Sequence, residues 1–346
     1  MLRFILARLV WGVVLFWAIT VFTFILFFVL PQPQIQLPGR AGQDEVNTRD
    51  ALRLSGPVYQ QYGQFVYRFV RYGELGRSYQ NRRQVNEILT KAAPVTASVV
   101  IGGAVIWLLL AFPIGVLSAL RPRSLLDRAG MVFVLIGISA HPAWVSLILS
   151  RFVGAESGLF PISGYCDLFS PHPAAPCGGP AQWVHHLILP WFAIALLFAA
   201  LYARMIRASV LETMNEDYVR TARAKGGGTI RVLRSHVLRN ALLPVVTMLG
   251  MDIGMFLSGT IFIESVFGLP GLGGLLRTSI NQRDLPVILG VVMFTTTAIL
   301  ILNLIVDLVY ALLDPRIGTV EARTEQVRRG ARRGTPVAAR AATPAG

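Results

Sequence analysis

Six apolar runs, each near the roughly 20 residues needed to cross about 30 Å of hydrocarbon, constrain this chain more than any other feature of its sequence. They fall at about 9–30, 94–120, 130–151, 187–207, 242–263 and 286–312. With no water to satisfy backbone N–H and C=O groups inside a bilayer, such runs are helices. Only 14% of the 346 residues are charged and 54% are hydrophobic, a balance rare in a soluble domain of this size. The expected fold class is therefore an all-α polytopic membrane protein with six transmembrane helices.

A net charge of +14 would point to nucleic acid in a soluble protein. Here the placement of the charge matters more. Arg121, Arg123 and Arg128 lie between helices 2 and 3, and Arg204, Arg207, Arg220, Arg223, Lys225, Arg231, Arg234 and Arg239 at or between helices 4 and 5. The alternate short connections carry only Arg151, Arg277 and Arg283. Lys/Arg bias in short loops sets orientation, so both termini are expected in the cytoplasm and no nucleic-acid partner is implied. The first run, "LVWGVVLFWAITVFTFILFFVL", is longer than the apolar part of a signal peptide and precedes no small-residue cleavage site. It is expected to be retained as helix 1.

Residues 31–93 then form an extracytoplasmic segment carrying Tyr59, Tyr62, Phe65, Tyr67, Phe69 and Tyr72. Two readings stay open for it: an amphipathic piece lying on the outer membrane face or against the bundle, and a loosely folded loop. Between helices 3 and 4, "GYCDLFSPHPAAPCGGP" holds the chain's two cysteines, Cys166 and Cys177, on the oxidising side. A disulfide closing that loop is the expectation and two free thiols the alternative. Zinc ligation with His172, His185 or His186 is disfavoured because no pair has ligand spacing on one element. Residues 318–346 lack apolar periodicity and read as a disordered cytoplasmic tail, its arginines solvated or touching anionic membrane lipid.

The basic stretch "RTARAKGGGTIRVLRSHVLRNALLP" at 220–244 puts glycines beside a lysine. It is not a phosphate-binding loop: Lys225 precedes the glycines, no Ser or Thr follows in register, and a membrane helix stands where the strand should be. It reads instead as a helix–turn–helix broken at Gly226 to Gly228. Leu211, Met214, Tyr218 and Ala222 follow a 3–4 spacing, which would present a small apolar knob ringed by charge to a groove on another protein.

At this point a family resemblance appears. "EDYVRTARAKG" followed by "VLRSHVLRNALLPV" resembles the EAA loop of the permease subunits of oligopeptide, dipeptide and nickel ABC importers. "ESVFGLPGLGGLLRTSINQRDLPVILG" is similar to that family's outer loop between the last two helices, and "NLIVDLVYALLDPRIG" to the end of its last helix. "GELGRSYQ" and "HLILP" add weaker likenesses, and together the stretches cover residues 1 to about 317 in order. The chain departs from the general pattern at Arg220, where Glu is usual, at the late Pro244, a shift that the peptide branch shares, and at the triple glycine.

The resemblance implies a type I ABC importer permease fold in three parts. Residues 1–93 add an N-terminal helix and outer segment, 94–317 form the core with a coupling loop at about 208–241, and 318–346 are the tail. It also implies a second homologous permease, two ATPase subunits and an extracytoplasmic substrate-binding protein, in the cytoplasmic membrane of a prokaryote. ATP and Mg would sit on the ATPases, with no cofactor or metal on this chain. The contact with the ATPase would use Asp217, Tyr218, Ala222, Ala224 and Gly226. The cargo would be di- or oligopeptide, with nickel or another small solute as the alternative.

Charged groups inside a bilayer need a reason. Asn303, Asp307 and Tyr310 share one face of helix 6, an expected interhelical polar network. Asp252 and Glu264 fall on helix 5, Asp252 between Gly250 and Gly254, where close helix packing and a polar translocation path are the two readings. The turn "VFGLPGLGGLL", with Pro270 and Gly271, should dip back toward the bundle as a gate or a structural plug. Ser139 and His141 are two apart and point to different faces, and neither H-E-x-x-H nor G-x-S-x-G occurs, so the chain is expected to be non-catalytic. The sequence shows no convincing internal repeat, which disfavours a self-sufficient secondary transporter or channel.

Overall fold

Prolines and glycines decide where the apolar runs bend. The computed structural model describes residues 2–28, 58–169, 177–282 and 284–313. Residues 31–57 of the outer segment, His172, the tail at 318–346 and the side chains of Asp307 and Tyr310 lie outside the described residues. In chain order the helices are α1 (Leu2–Phe28), α2 (Val58–Tyr72), α3 (Val85–Leu120), α4 (Leu125–Ser139), α5 (Pro142–Ile148, widening into π turns at Leu149–Glu156) and α6 (Pro180–Met214). There follow α7 (Asp217–Ala224), α8 (Thr229–Ala241, with a π turn at Leu233–Val237), α9 (Leu243–Gly259), α10 (Ile261–Val266), α11 (Leu272–Gln282) and α12 (Leu285–Leu313).

Among the described residues three helices, α3, α6 and α12, are unbroken and apolar enough to cross a membrane; two bent pairs would bring the number to five, and α1 adds the shorter apolar stretch Val10–Leu26. The span expected over 130–151 is broken rather than continuous. Its halves meet at 99°. Pro142 has no N–H to continue the ladder, and its ring holds His141 in an extended conformation (φ −68°, ψ 134°). The His141 ring then accepts from the Ala143 N–H at 3.2 Å and caps α5. Likewise the helix expected over 242–263 ends at Gly259, so Glu264 lies on the separate α10 rather than on the helix of Asp252.

The main core is α3 against α6, with α4 beside them. Small residues let the backbones approach: a Cβ on Gly115 would come within 2.8 Å of the Ala203 carbonyl, and one on Gly137 within 2.5 Å of the Ala200 methyl. Trp107 is buried there among Phe198, Tyr202 and Phe256, with ring centroids 5.1, 5.8 and 6.0 Å away. A smaller second core joins α3, α11 and α12 through Val85, Leu89, Ala92, Leu272, Val287 and Val291. In the outer segment, α2 lays aromatic side chains along α1, Tyr62 on Phe24 at 5.2 Å and Phe69 on Phe16 at 6.0 Å.

Candidate functional site

The connections fall at two ends of the bundle, and each end carries one candidate site. At one end, α6 runs out of the core into α7, and α8 folds back beneath it. Val219 of α7 is fully buried, and with Val210, Val232, Val237 and Ala241 it forms the inner face of this loop. Gly226 adopts φ +83° and ends α7 in the left-handed region that side chains disfavour. Gly227 then donates to the Ala222 carbonyl at 3.2 Å, and a Cβ there would meet that oxygen at 2.8 Å. The triple glycine is thus a compact reversal.

The structure corrects the expected apolar knob. Leu211, Met214 and Ala222 pack against the chain's own core, so that stripe faces inward and Val219, which the spacing missed, completes it. The outward face carries Asp217, Arg220, Thr221, Ala224, Lys225, Gly226 and the 75%-exposed Ile230. Tyr218 is 42% exposed, and its hydroxyl accepts from the Asn240 side-chain amide at 2.7 Å, which ties α7 to α8.

The opposite end is organised by two buried carboxylates. Glu264, 1% exposed, accepts from the Thr96 hydroxyl (2.7 Å), the Thr260 hydroxyl (2.8 Å) and the Gly274 N–H (2.9 Å). It therefore caps α11 at the end where the helix dipole favours negative charge. The Thr96 oxygen also accepts from the Leu272 N–H at 2.8 Å. Asp284, 2% exposed, accepts from the Ser78 hydroxyl and from the Tyr79 N–H at 3.1 Å, and the Ser78 oxygen accepts from the Asn81 N–H at 3.0 Å. Burial, and then the Asp284 carboxylate, push the Tyr79 hydroxyl up to about 12. Both clasps fasten the segment around 78–96 to the segment around 264–284, and the second core fills the space between.

Gly271 belongs to this arrangement, because a Cβ there would lie 2.4 Å from the Glu264 carboxyl carbon. The turn it occupies does come back against the bundle: Phe267, Leu269 and Leu272 are buried, whereas Pro270 is exposed on the rim. Beside that turn opens a cleft of about 750 Å³, lined among others by Asn81, Arg83, Lys91, Pro270, Arg277 and Asn281. The turn is also tied to the cysteine loop, since the Gly164 N–H donates to the Phe267 carbonyl at 3.2 Å. In that loop Cys166 and Cys177 are joined as a disulfide, their Cα atoms 5.3 Å apart.

Mid-bundle, Asp252 and Gly254 of "GMDIG" face different helices. Gly254 faces α12, where a Cβ would sit 3.7 Å from Ile299 and 4.0 Å from the Asn303 side-chain oxygen. Asp252 faces α6 and accepts from the Tyr202 hydroxyl at 2.6 Å. Sequence reasoning missed Thr96, Asp284 and the pair Asp127–Arg207, whose guanidinium donates through Nε at 2.7 Å and through a terminal nitrogen at 3.0 Å. Their partners lie far away along the chain, so no local spacing announces them. The one available signal was a carboxylate at the edge of an apolar run.

Comparisons with known proteins identify the family to which the chain is similar. Residues 111–319 match the family described as binding-protein-dependent transport system inner membrane component, and residues 1–100 match the N-terminal family of the same systems. The chain is 34% identical over 336 residues to the dipeptide transport system permease protein DppB of Escherichia coli strain K12, covering 92% of this chain and 99% of that protein. It is 38% identical over 323 residues to a protein of Brucella suis biovar 1 provisionally named a peptide permease, with the same coverage of 92% and 99%.

Proposed function

This chain belongs to the family of binding-protein-dependent transport system inner membrane components, and on that premise we propose that it is one of two permease subunits of an ATP-driven peptide importer. It is a multi-pass protein of the inner membrane, and peptide is the cargo named for its relatives. The observation that carries the reading is the α7–α8 loop. It is a well-packed, largely outward-charged projection built on the end of a long helix, far more than a connection between two helices requires.

In this proposal the loop lies in the cytoplasm with both termini and seats in an ATPase subunit through Asp217, Tyr218, Ala224 and Gly226. Ala222 serves from behind, as the inward face that sets the angle of α7. Two ATPase chains bind and hydrolyse ATP with Mg, and this chain supplies no catalytic group. A second permease completes the pathway, and an extracytoplasmic binding protein delivers cargo at the clasped end. There Glu264, Pro270 and Gly271 shape a gate, and Asp252 offers its carboxylate to the path. The core runs to 317 and starts before the expected residue 94, since Ser78, Val85, Leu89 and Ala92 pack into it, and α1 with α2 forms the peripheral addition. ATP-driven movement of the loop biases the outward and inward arrangements because the ATPase states bind the two loop positions unequally.

The test is to isolate the tagged chain in mild detergent from its native membrane and identify its stoichiometric partners by mass spectrometry. A second permease, an ATPase with phosphate-binding motifs, and hydrolysis stimulated by a peptide-loaded binding protein are expected. Recovery of the chain alone after gentle crosslinking, with no ATPase activity, would overturn the reading.

A further inference from the structure

The docking loop and the clasped end lie at opposite ends of the bundle, and the contacts between them run through α4 as well as along α6. Asp127, in the first turn of α4, has a side chain only 7% exposed. Its carboxylate is gripped on both oxygens by Arg207 of α6, at 2.7 and 3.0 Å, and also accepts from the Arg123 N–H at 2.9 Å. The turn that delivers that N–H is itself special: Arg123 sits at φ +64°, and the Ser124 hydroxyl accepts from the Asp127 N–H at 3.3 Å. Arg207 lies on the stretch of α6 that packs against α8, where the Ser209 hydroxyl donates to the Ala241 carbonyl at 2.8 Å.

From these contacts we propose that Asp127 and Arg207 are a positioning pair that carries movement of the docking loop into α4, and through the bend at 140–142 to the Glu264 clasp. Along the rest of their length α4 and α6 meet by close packing, as where Gly137 lies against Ala200 and the Leu196 carbonyl. Such a surface fixes how close two helices lie but resists sliding weakly. A two-pronged guanidinium–carboxylate pair is directional and fixes axial register. With the pair in place, a shift of α6 along its axis drags the first turn of α4. At the far end of α4, the His141 ring meets Phe262 edge-on at 6.3 Å, and Phe262 and Glu264 share the short helix α10. The chain of contacts is continuous from loop to clasp, and coupling between its ends requires that each link hold its register.

The inference rests on the importer reading, so its test uses the whole complex reconstituted in liposomes. Arg207→Gln and Asp127→Asn are compared with the milder Arg207→Lys, which keeps the charge and loses the fork. Three quantities are read: assembly with the ATPase subunits, ATP hydrolysed per peptide taken up, and labelling of Asn281→Cys at the cleft with and without trapped nucleotide. The native cysteines are replaced by Ser throughout.

The neutralising variants are expected to assemble and to raise ATP consumed per peptide by about fivefold, a size typical of residues that modulate coupling without touching ligand. The nucleotide-dependent difference in labelling should shrink in step, and Arg207→Lys should fall between. If the neutral variants do not assemble, Arg207→Lys decides. An unchanged ratio and unchanged labelling in the variants that assemble, with normal wild-type uptake, overturn this inference alone. A wild-type complex without ATP-driven peptide uptake overturns the importer reading and this inference with it.

Discussion

At the scale of single residues, the clasped end makes sharp demands. Thr96 both donates to Glu264 and accepts from Leu272, so Thr96→Val, which keeps the shape, removes two bonds at once. A buried hydrogen bond to a charged group contributes about 1.5–3 kcal/mol. A loss of that size should appear as lower thermal stability in nanodiscs and faster proteolysis within 264–284, with Thr96→Ser close to wild type. Gly271→Ala should impair peptide uptake at normal membrane abundance, because its Cβ would collide with the Glu264 carboxylate. Gly63→Ala is the matching control: nothing lies within 4 Å of that Cβ, and alanine is favoured by up to about 1 kcal/mol inside a helix. Equal uptake in the two glycine variants would mean that the turn accommodates the methyl and that Gly271 is not a site of close approach. Glycines and carboxylates of this kind were visible in the sequence as types. What they touch was not, since the Thr96–Glu264 contact spans 168 residues of chain.

At the scale of elements, the apolar runs were legible because a bilayer demands a composition that few other settings produce. Their ends were less so. The α3 helix starts nine residues before its apolar run, at Val85, and α6 continues seven beyond its own, to Met214, since amphipathic extensions outside the hydrocarbon carry no hydropathy signal. The bend at Pro142 was written in the sequence and underweighted, because a proline inside a membrane helix is often accommodated without a sharp turn, as Pro113 and Pro190 are within α3 and α6. In the α7–α8 loop, spacing found the amphipathic period and misplaced which way its apolar face points. The structure therefore separates two kinds of variant. Val219→Asp buries a charge beneath α7 and should abolish ATPase-subunit capture together with the loop's resistance to protease. Thr221→Arg, on the exposed face, should weaken capture while leaving protease resistance intact. Loss of protease resistance in both would show that the outer face is structural and not a docking surface.

At the scale of the whole molecule, charge bias alone sets the proposed orientation, and it can be checked directly. In a chain with Cys166 and Cys177 changed to Ser, Gln282→Cys should react with a membrane-impermeant maleimide in intact cells, and Arg231→Cys only after permeabilisation. The reverse pattern would invert the proposed topology. One more consequence follows from the clasps. Ser78 meets a partner 206 residues further along the chain, and Asp284 immediately precedes the last helix. The α7–α8 loop, by contrast, closes between neighbours such as Tyr218 and Asn240, 22 residues apart. During synthesis the loop can therefore mature early, whereas the second core at the opposite end must wait for Val287 and Val291 of α12, since distant contacts form only after the intervening chain has been made and ordered. Biogenesis is staged accordingly: a chain released before α12 carries a finished α7–α8 loop and the Thr96–Glu264 clasp but leaves Val85, Leu89 and Ala92 without Val287 and Val291, and the membrane's quality-control proteases would recognise it by that uncovered apolar face.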